Sequence, residues 1–81
     1  MTHAFATHIV NEIETRVNGR FKLSNVTAEV RANDGEDDYD ISVTPNSSSL
    51  HRVPELAKMC DYYELSCFVT CEGNKPHMII F

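Results

Sequence analysis

The chain has no apolar run approaching the roughly eighteen residues that a membrane-crossing helix needs, so no such span is expected. Basic residues are also scarce: seven Lys and Arg stand against twelve Asp and Glu, for a net charge of −5. That sign opposes a sugar-phosphate backbone and argues against direct nucleic-acid binding. An acidic chain is better suited to meeting a basic protein surface. With only three glycines, there is little room for an active-site loop. The opening stretch, MTHAFATHIVNEIE, lacks a basic region followed by an apolar block, so it does not read as a secretory signal. Cysteine is sparse and odd in number, at Cys60, Cys67 and Cys71. On a single strand, Cys67 and Cys71 would lie roughly 13 Å apart, beyond the reach of a disulfide. Reduced thiols filling small spaces in the core of a cytoplasmic protein are therefore expected.

Catalytic motifs are missing as well. There is no G-x-S-x-G, no Gly-rich phosphate loop, no H-E-x-x-H and no paired C-x-x-C. A minority reading makes Cys60 a nucleophile with His51 or His77 as its base, or gathers Cys60, Cys67, Cys71 and His77 into a thiol or metal site. Without knuckle spacing, and with strand geometry splaying the candidates, a buried thiol beside unrelated histidines is the stronger reading. No cofactor, no metal and no enzymatic activity are expected.

What the chain does contain is patterning. Residues 65–81, LSCFVTCEGNKPHMIIF, are two apolar runs around Gly73-Asn74, a β-hairpin with a two-residue turn that needs glycine first. The register pairs Cys67 with Ile80, Phe68 with Ile79 and Val69 with Met78. One face carries Leu65, Cys67, Val69, Met78 and Ile80; the other carries Phe68, Ile79 and Phe81. Upstream, Phe5, Ala6, Ile9, Val10, Ile13 and Val17 recur at helical spacing, predicting a helix over residues 2–18 with Thr2 as N-cap and Gly19 as stop. Phe21 and Leu23 anchor a connector. Strict alternation from residue 25 to 32 predicts a strand, and Asp34-Gly35 predicts a two-residue turn into its partner. That turn pairs Val30 with Tyr39, Ala28 with Ile41 and Val26 with Val43, and sets Glu29 opposite Asp40. After a polar linker at 46–49, Pro54 opens a second helix ending near Tyr62.

The order is αββαββ, an α+β fold in a single domain of 81 residues. Val26-x-Ala28-x-Val30-x-Ala32 lines up with Leu65-x-Cys67-x-Val69-x-Cys71, so residues 1–45 and 46–81 read as a duplicated helix-plus-hairpin unit. A four-stranded, mainly antiparallel sheet with both helices on one face follows. The predicted core is Ile9, Ile13, Val17, Val26, Ala28, Val30, Ile41, Val43, Leu56, Cys67 and Val69.

Two surface features bear on function. Phe68, Ile79 and Phe81 form an apolar patch on the sheet face that the helices leave uncovered, and such a patch marks an interface. The stretch from Asp34 to Asp40, DGEDDYD, is a cluster of carboxylates whose spacing does not match a calcium loop. Its Glu36, Asp37, Asp38 and Asp40 are candidates for contacting a basic partner. Size, acidity and the lack of catalytic chemistry resemble the general run of small inhibitors encoded by phages and mobile elements, including anti-CRISPR proteins and nucleic-acid mimics. That resemblance is one of type, with no shared motif. It implies a non-catalytic protein that occupies a partner's surface. The alternative is a homodimeric structural or regulatory subunit joined through the hairpin patch.

Overall fold

The computed structural model describes residues 1–18, 25–33, 38–45, 53–73 and 75–81. Helix α1 spans His3–Glu12 and continues as a π-helical turn over Ile13–Val17. Strands β1 (Val26–Ala32) and β2 (Tyr39–Pro45) follow, then α2 (Val53–Tyr62), β3 (Cys67–Glu72) and β4 (Lys75–Ile80). All pairings are antiparallel, in the order β1-β2-β4-β3. The predicted α+β architecture is the one observed.

Thr2 caps α1, its hydroxyl accepting the Phe5 N–H at 3.2 Å. The helix ends where the Asn18 N–H reaches back five residues to the Ile13 carbonyl, at 3.1 Å. Gly19, the Phe21–Leu23 connector, the Asp34-Gly35 turn, the 46–49 linker and His51 lie outside the described residues. The Asn18 side chain holds the start of β1: its carboxamide accepts the Val26 N–H at 2.8 Å and donates to the Val26 carbonyl at 3.0 Å. Helix α2 closes without glycine. Leu65 N–H bonds to the Cys60 carbonyl at 2.8 Å and Glu64 N–H to the Asp61 carbonyl at 3.2 Å, with Glu64 in the left-handed region at φ 57°. This is a Schellman closure with glutamate at the position that glycine favours.

Both helices pack on one face of the sheet and share a single core with it. Two rows of side chains cross that face, Val30–Ile41–Ile80–Cys67 and Ala28–Val43–Met78–Val69. Central-strand residues Ile41, Val43, Met78 and Ile80 are buried beneath Ala6, Ile9, Ile13, Leu56 and Cys60. Edge-strand residues Ala28, Val30 and Cys67 are only partly buried. Val69, expected in the core, is 44% exposed. An edge strand has a neighbour on one side only, so the last inward side chain of a row keeps an open flank.

The second hairpin has the predicted register throughout, and Gly73 takes φ +62°, as the first position of its turn requires. The first hairpin differs from expectation by two residues: Val30 faces Ile41, Ala28 faces Val43 and Val26 faces Pro45. It closes with a bond from Asn33 N–H to the Asp38 carbonyl at 2.9 Å, leaving residues 34–37 between them. A slip of two keeps every side chain on its predicted face, whereas a slip of one would have reversed them all. The slip moves Arg31 from Asp38, its partner in the predicted register, to Asp40 and sets Glu29 opposite Ser42, so the repulsive Glu29–Asp40 pair is removed and an Arg31–carboxylate pair is kept.

In this register the two hairpins correspond residue by residue. Val30 with Ile41 matches Val69 with Met78, and Ala28 with Val43 matches Cys67 with Ile80. Small Ala28 and Cys67 thereby occupy equivalent places on the two edge strands.

Candidate binding face

Alternation along β3 and β4 places Phe68, Thr70, His77 and Ile79 on the face away from the helices. Phe81 continues that face because its N–H and carbonyl each bond to Ser66 at 2.9 Å, carrying the ladder one pair beyond β3. Phe68 lies directly across from Ile79, and Phe81 is diagonal to Phe68. Their rings meet edge to face with centroids 5.8 Å apart. Phe68 is 50% exposed and Phe81 52%, while Ile79 is only 6% exposed. The predicted patch is thus two half-exposed rings over a buried isoleucine. Ile79 sits on a central strand, between Ser42 and Phe68, and its neighbours cover it.

The corresponding part of the first hairpin carries Glu29 and Ser42 in place of Phe68 and Ile79. The open face is therefore half polar and half apolar. Where the halves meet, Phe68, Ile79 and Phe81 share a shallow depression of about 380 Å³ with Met1, Arg31, Asn33, Asp38 and Asp40.

The acidic candidates differ in their surroundings. Asp40 is buried and takes two bonds from Arg31, Nε to Oδ1 at 2.9 Å and Nη2 to Oδ2 at 3.1 Å. The Arg31 hydrogen bonds hold the Asp40 carboxyl below its usual pKa, against an opposing push from burial. Asp40, a candidate for contacting a basic partner, is thus engaged by Arg31 within the face. Asp38 is exposed and receives the Met1 amino group at 3.3 Å. Met1 also pairs with Tyr39 through the backbone, the Tyr39 N–H donating to its carbonyl at 2.9 Å. Glu36 and Asp37 lie outside the described residues.

The cysteines and His77 are divided between the two faces. Cys67 and Cys71 lie on the helix side of β3, whereas His77 is opposite Thr70 on the open side. Cys60 is buried, Cys67 half-buried and Cys71 exposed, all as free thiols. Burial, reinforced by the neighbouring Cys67, pushes the Cys60 thiol up to about 12. Among the described residues, no three His, Cys, Asp or Glu side chains are grouped so as to hold a metal ion.

A second concavity, of about 360 Å³, lies between the π-helical turn and α2, with Val17, Met59, Tyr62 and Tyr63 along it and the Arg16–Glu12 pair, 2.7 Å apart, at its rim. Tyr62 is 81% exposed. Sequence reasoning passed over this groove. The signal available was that Tyr62 falls off the Leu56–Met59–Cys60–Tyr63 stripe, a large aromatic with no place in the core.

Among the described residues no helix is long and apolar enough to cross a membrane. No known protein family, curated protein or solved structure matches the chain.

Proposed function

We propose that this is a small, acidic, non-catalytic binding protein that acts by laying the open face of its sheet on a partner protein. The observation that supports the reading is the pair of half-exposed rings, Phe68 and Phe81, in contact above buried Ile79. At half exposure the two rings offer about 100 Å² each. Covering both would contribute ~5 kcal/mol before the costs of association are subtracted. Isolated exposed apolar side chains are ordinary on a monomer, but adjacent aromatics beside a depression resemble the anchor of an interface.

The partner that fits has an apolar spot bordered by basic groups. Net charge is −5, Asp38 edges the patch, and Glu36 and Asp37 belong to the intervening segment 34–37. Acidic rims steer association with basic surfaces. In its sharpest form the protein is an inhibitor of the phage or mobile-element type, covering a surface on which the partner would hold nucleic acid. It works in the cytoplasm, where its three thiols stay reduced.

The test compares wild-type and Phe68→Asp proteins immobilised in extract of the source cell. The retained partner is identified, purified and rebound to each. Capture by the wild type, with loss of binding by Phe68→Asp at an unchanged melting temperature, is expected. Equal binding by both would remove this face from the functional account.

A further inference from the structure

We propose that the free edge of β3 pairs with the β3 edge of a second copy, antiparallel and centred on Val69, joining two sheets into one of eight strands. Among the described residues β3 is an outermost strand, with β4 as its one neighbour. The direction of its backbone groups follows from one pair: Ser66 and Phe81 exchange both N–H···O bonds, each 2.9 Å. In an antiparallel ladder such pairs alternate, so Phe68 and Thr70 turn inward to β4 while Cys67, Val69 and Cys71 turn their N–H and carbonyl groups outward. A two-fold axis at Val69 brings outward groups onto outward groups: Val69 faces Val69 of the second copy, and Cys67 faces Cys71 at either side. Three hydrogen-bonding pairs then form without any rearrangement of the monomer.

The side chains suit a second copy. Residues 67–71, Cys-Phe-Val-Thr-Cys, carry no charge and read almost the same in reverse. Antiparallel pairing therefore sets thiol against thiol, valine against valine, and each Phe68 against a Thr70, with no bulky side chain facing another. A self-complementary patch of this kind is what an isologous interface requires. Val69, half-open on the helix side at 44% exposure, would be covered by its own counterpart.

The other edge of the sheet is less suited to this use. On β1 the Asn18 carboxamide occupies both backbone groups of Val26, and Glu29 and Arg31 place charges along the strand. Charged side chains and capped backbone are the usual protection of an edge strand, and the 67–71 segment of β3 has no charged side chain.

Edge pairing leaves both open faces on the same side of the joined sheet. The two Phe68–Phe81 patches then form one bivalent surface. In this respect the inference extends the binding role proposed above, though it stands on different atoms.

The test is sedimentation equilibrium with amide exchange followed by NMR. Wild type is expected at twice the 9.2 kDa chain mass at high micromolar concentration. Association should tighten with added salt, because two chains of −5 repel, whereas binding to a basic partner should weaken. Amides of Cys67, Val69 and Cys71 should gain protection with concentration, while those of Phe68 and Thr70 stay protected throughout. Val69→Pro removes an outward N–H while sparing the bonds to β4, a change that edge strands tolerate, and Val69→Lys sets two ammonium groups at the axis. Either should give a folded 9.2 kDa monomer, whereas Phe81→Asp should remain dimeric. A monomeric wild type overturns the proposal and leaves face binding to a partner intact. So does a dimer lost in Phe81→Asp, or protection that omits Cys71.

Discussion

Arg31 and Asp40 face each other across β1 and β2 and are joined by two hydrogen bonds, with the carboxylate buried and the guanidinium half-exposed. The pair pins the register of the first hairpin and forms one wall of the depression beside Phe68 and Phe81. Replacing Arg31 with Met keeps the aliphatic stem but strands a buried carboxylate. A loss of about 1–2 kcal/mol is expected at pH 7, moderated by the exposure of the arginine. The pKa of Asp40 is lowered, so its contribution is present above the unfolded value near 4 and fades as pH falls through the folded one. Urea titrations should therefore show the Arg31→Met penalty at pH 7 and its shrinkage toward pH 2.

Ile13 is fully buried at the junction of α1 and the π-helical turn, in the cluster that holds Ile41, Ile80 and Leu56. Ile13→Ala should cost about 2–5 kcal/mol. Small single-core domains have only about 3–5 kcal/mol to lose, so circular dichroism at 25 °C should show a substantially unfolded population. Glu14→Ala, an exposed change on the same turn, should stay within ~0.5 kcal/mol of wild type.

Glu64 holds φ 57° at the end of α2 without the glycine that this conformation favours. Glu64→Gly should therefore raise stability by about 1 kcal/mol, since the left-handed strain of a side-chain-bearing residue is relieved. In a domain of this size that corresponds to a rise in melting temperature of roughly 4–8 °C. An unchanged or lower melting temperature would mean that the Schellman closure carries no strain.

The three thiols should separate by reactivity in dilute protein. Cys71 is exposed and should alkylate first, whereas Cys60 is buried and held protonated to about 12. Timed alkylation read by mass spectrometry should find Cys60 modified only after unfolding. The raised pKa also has a sign for stability. Its contribution is intact below the unfolded thiol value near 8.5 and is lost as pH rises toward the folded one. Alkaline destabilisation between those limits should be smaller in Cys60→Ala than in wild type.

Much of this protein was legible in one dimension. The 3.6-residue recurrence of Ile9, Ile13 and Val17, the alternation of β1 and β3, and Pro54 at the opening of α2 are local signals, and each element formed where its period placed it. Gly73 specified its hairpin completely, because a two-residue turn with positive φ permits a single register. The same alternation sorted Phe68, Ile79 and Phe81 to the face away from the helices. Tertiary structure alone decided the rest. The first hairpin closed at Asn33 and Asp38, because the two-residue slip removes the Glu29–Asp40 like-charge pair and keeps Arg31 opposite a carboxylate at no cost in sidedness. Exposure along a row was set by strand order, which placed β2 and β4 at the centre, burying Ile79 and leaving Val69 open. A chain's period says which way a side chain points. What covers that side chain depends on which strands become neighbours, and that is settled only when distant segments compete for the same hydrogen bonds and the same apolar surface.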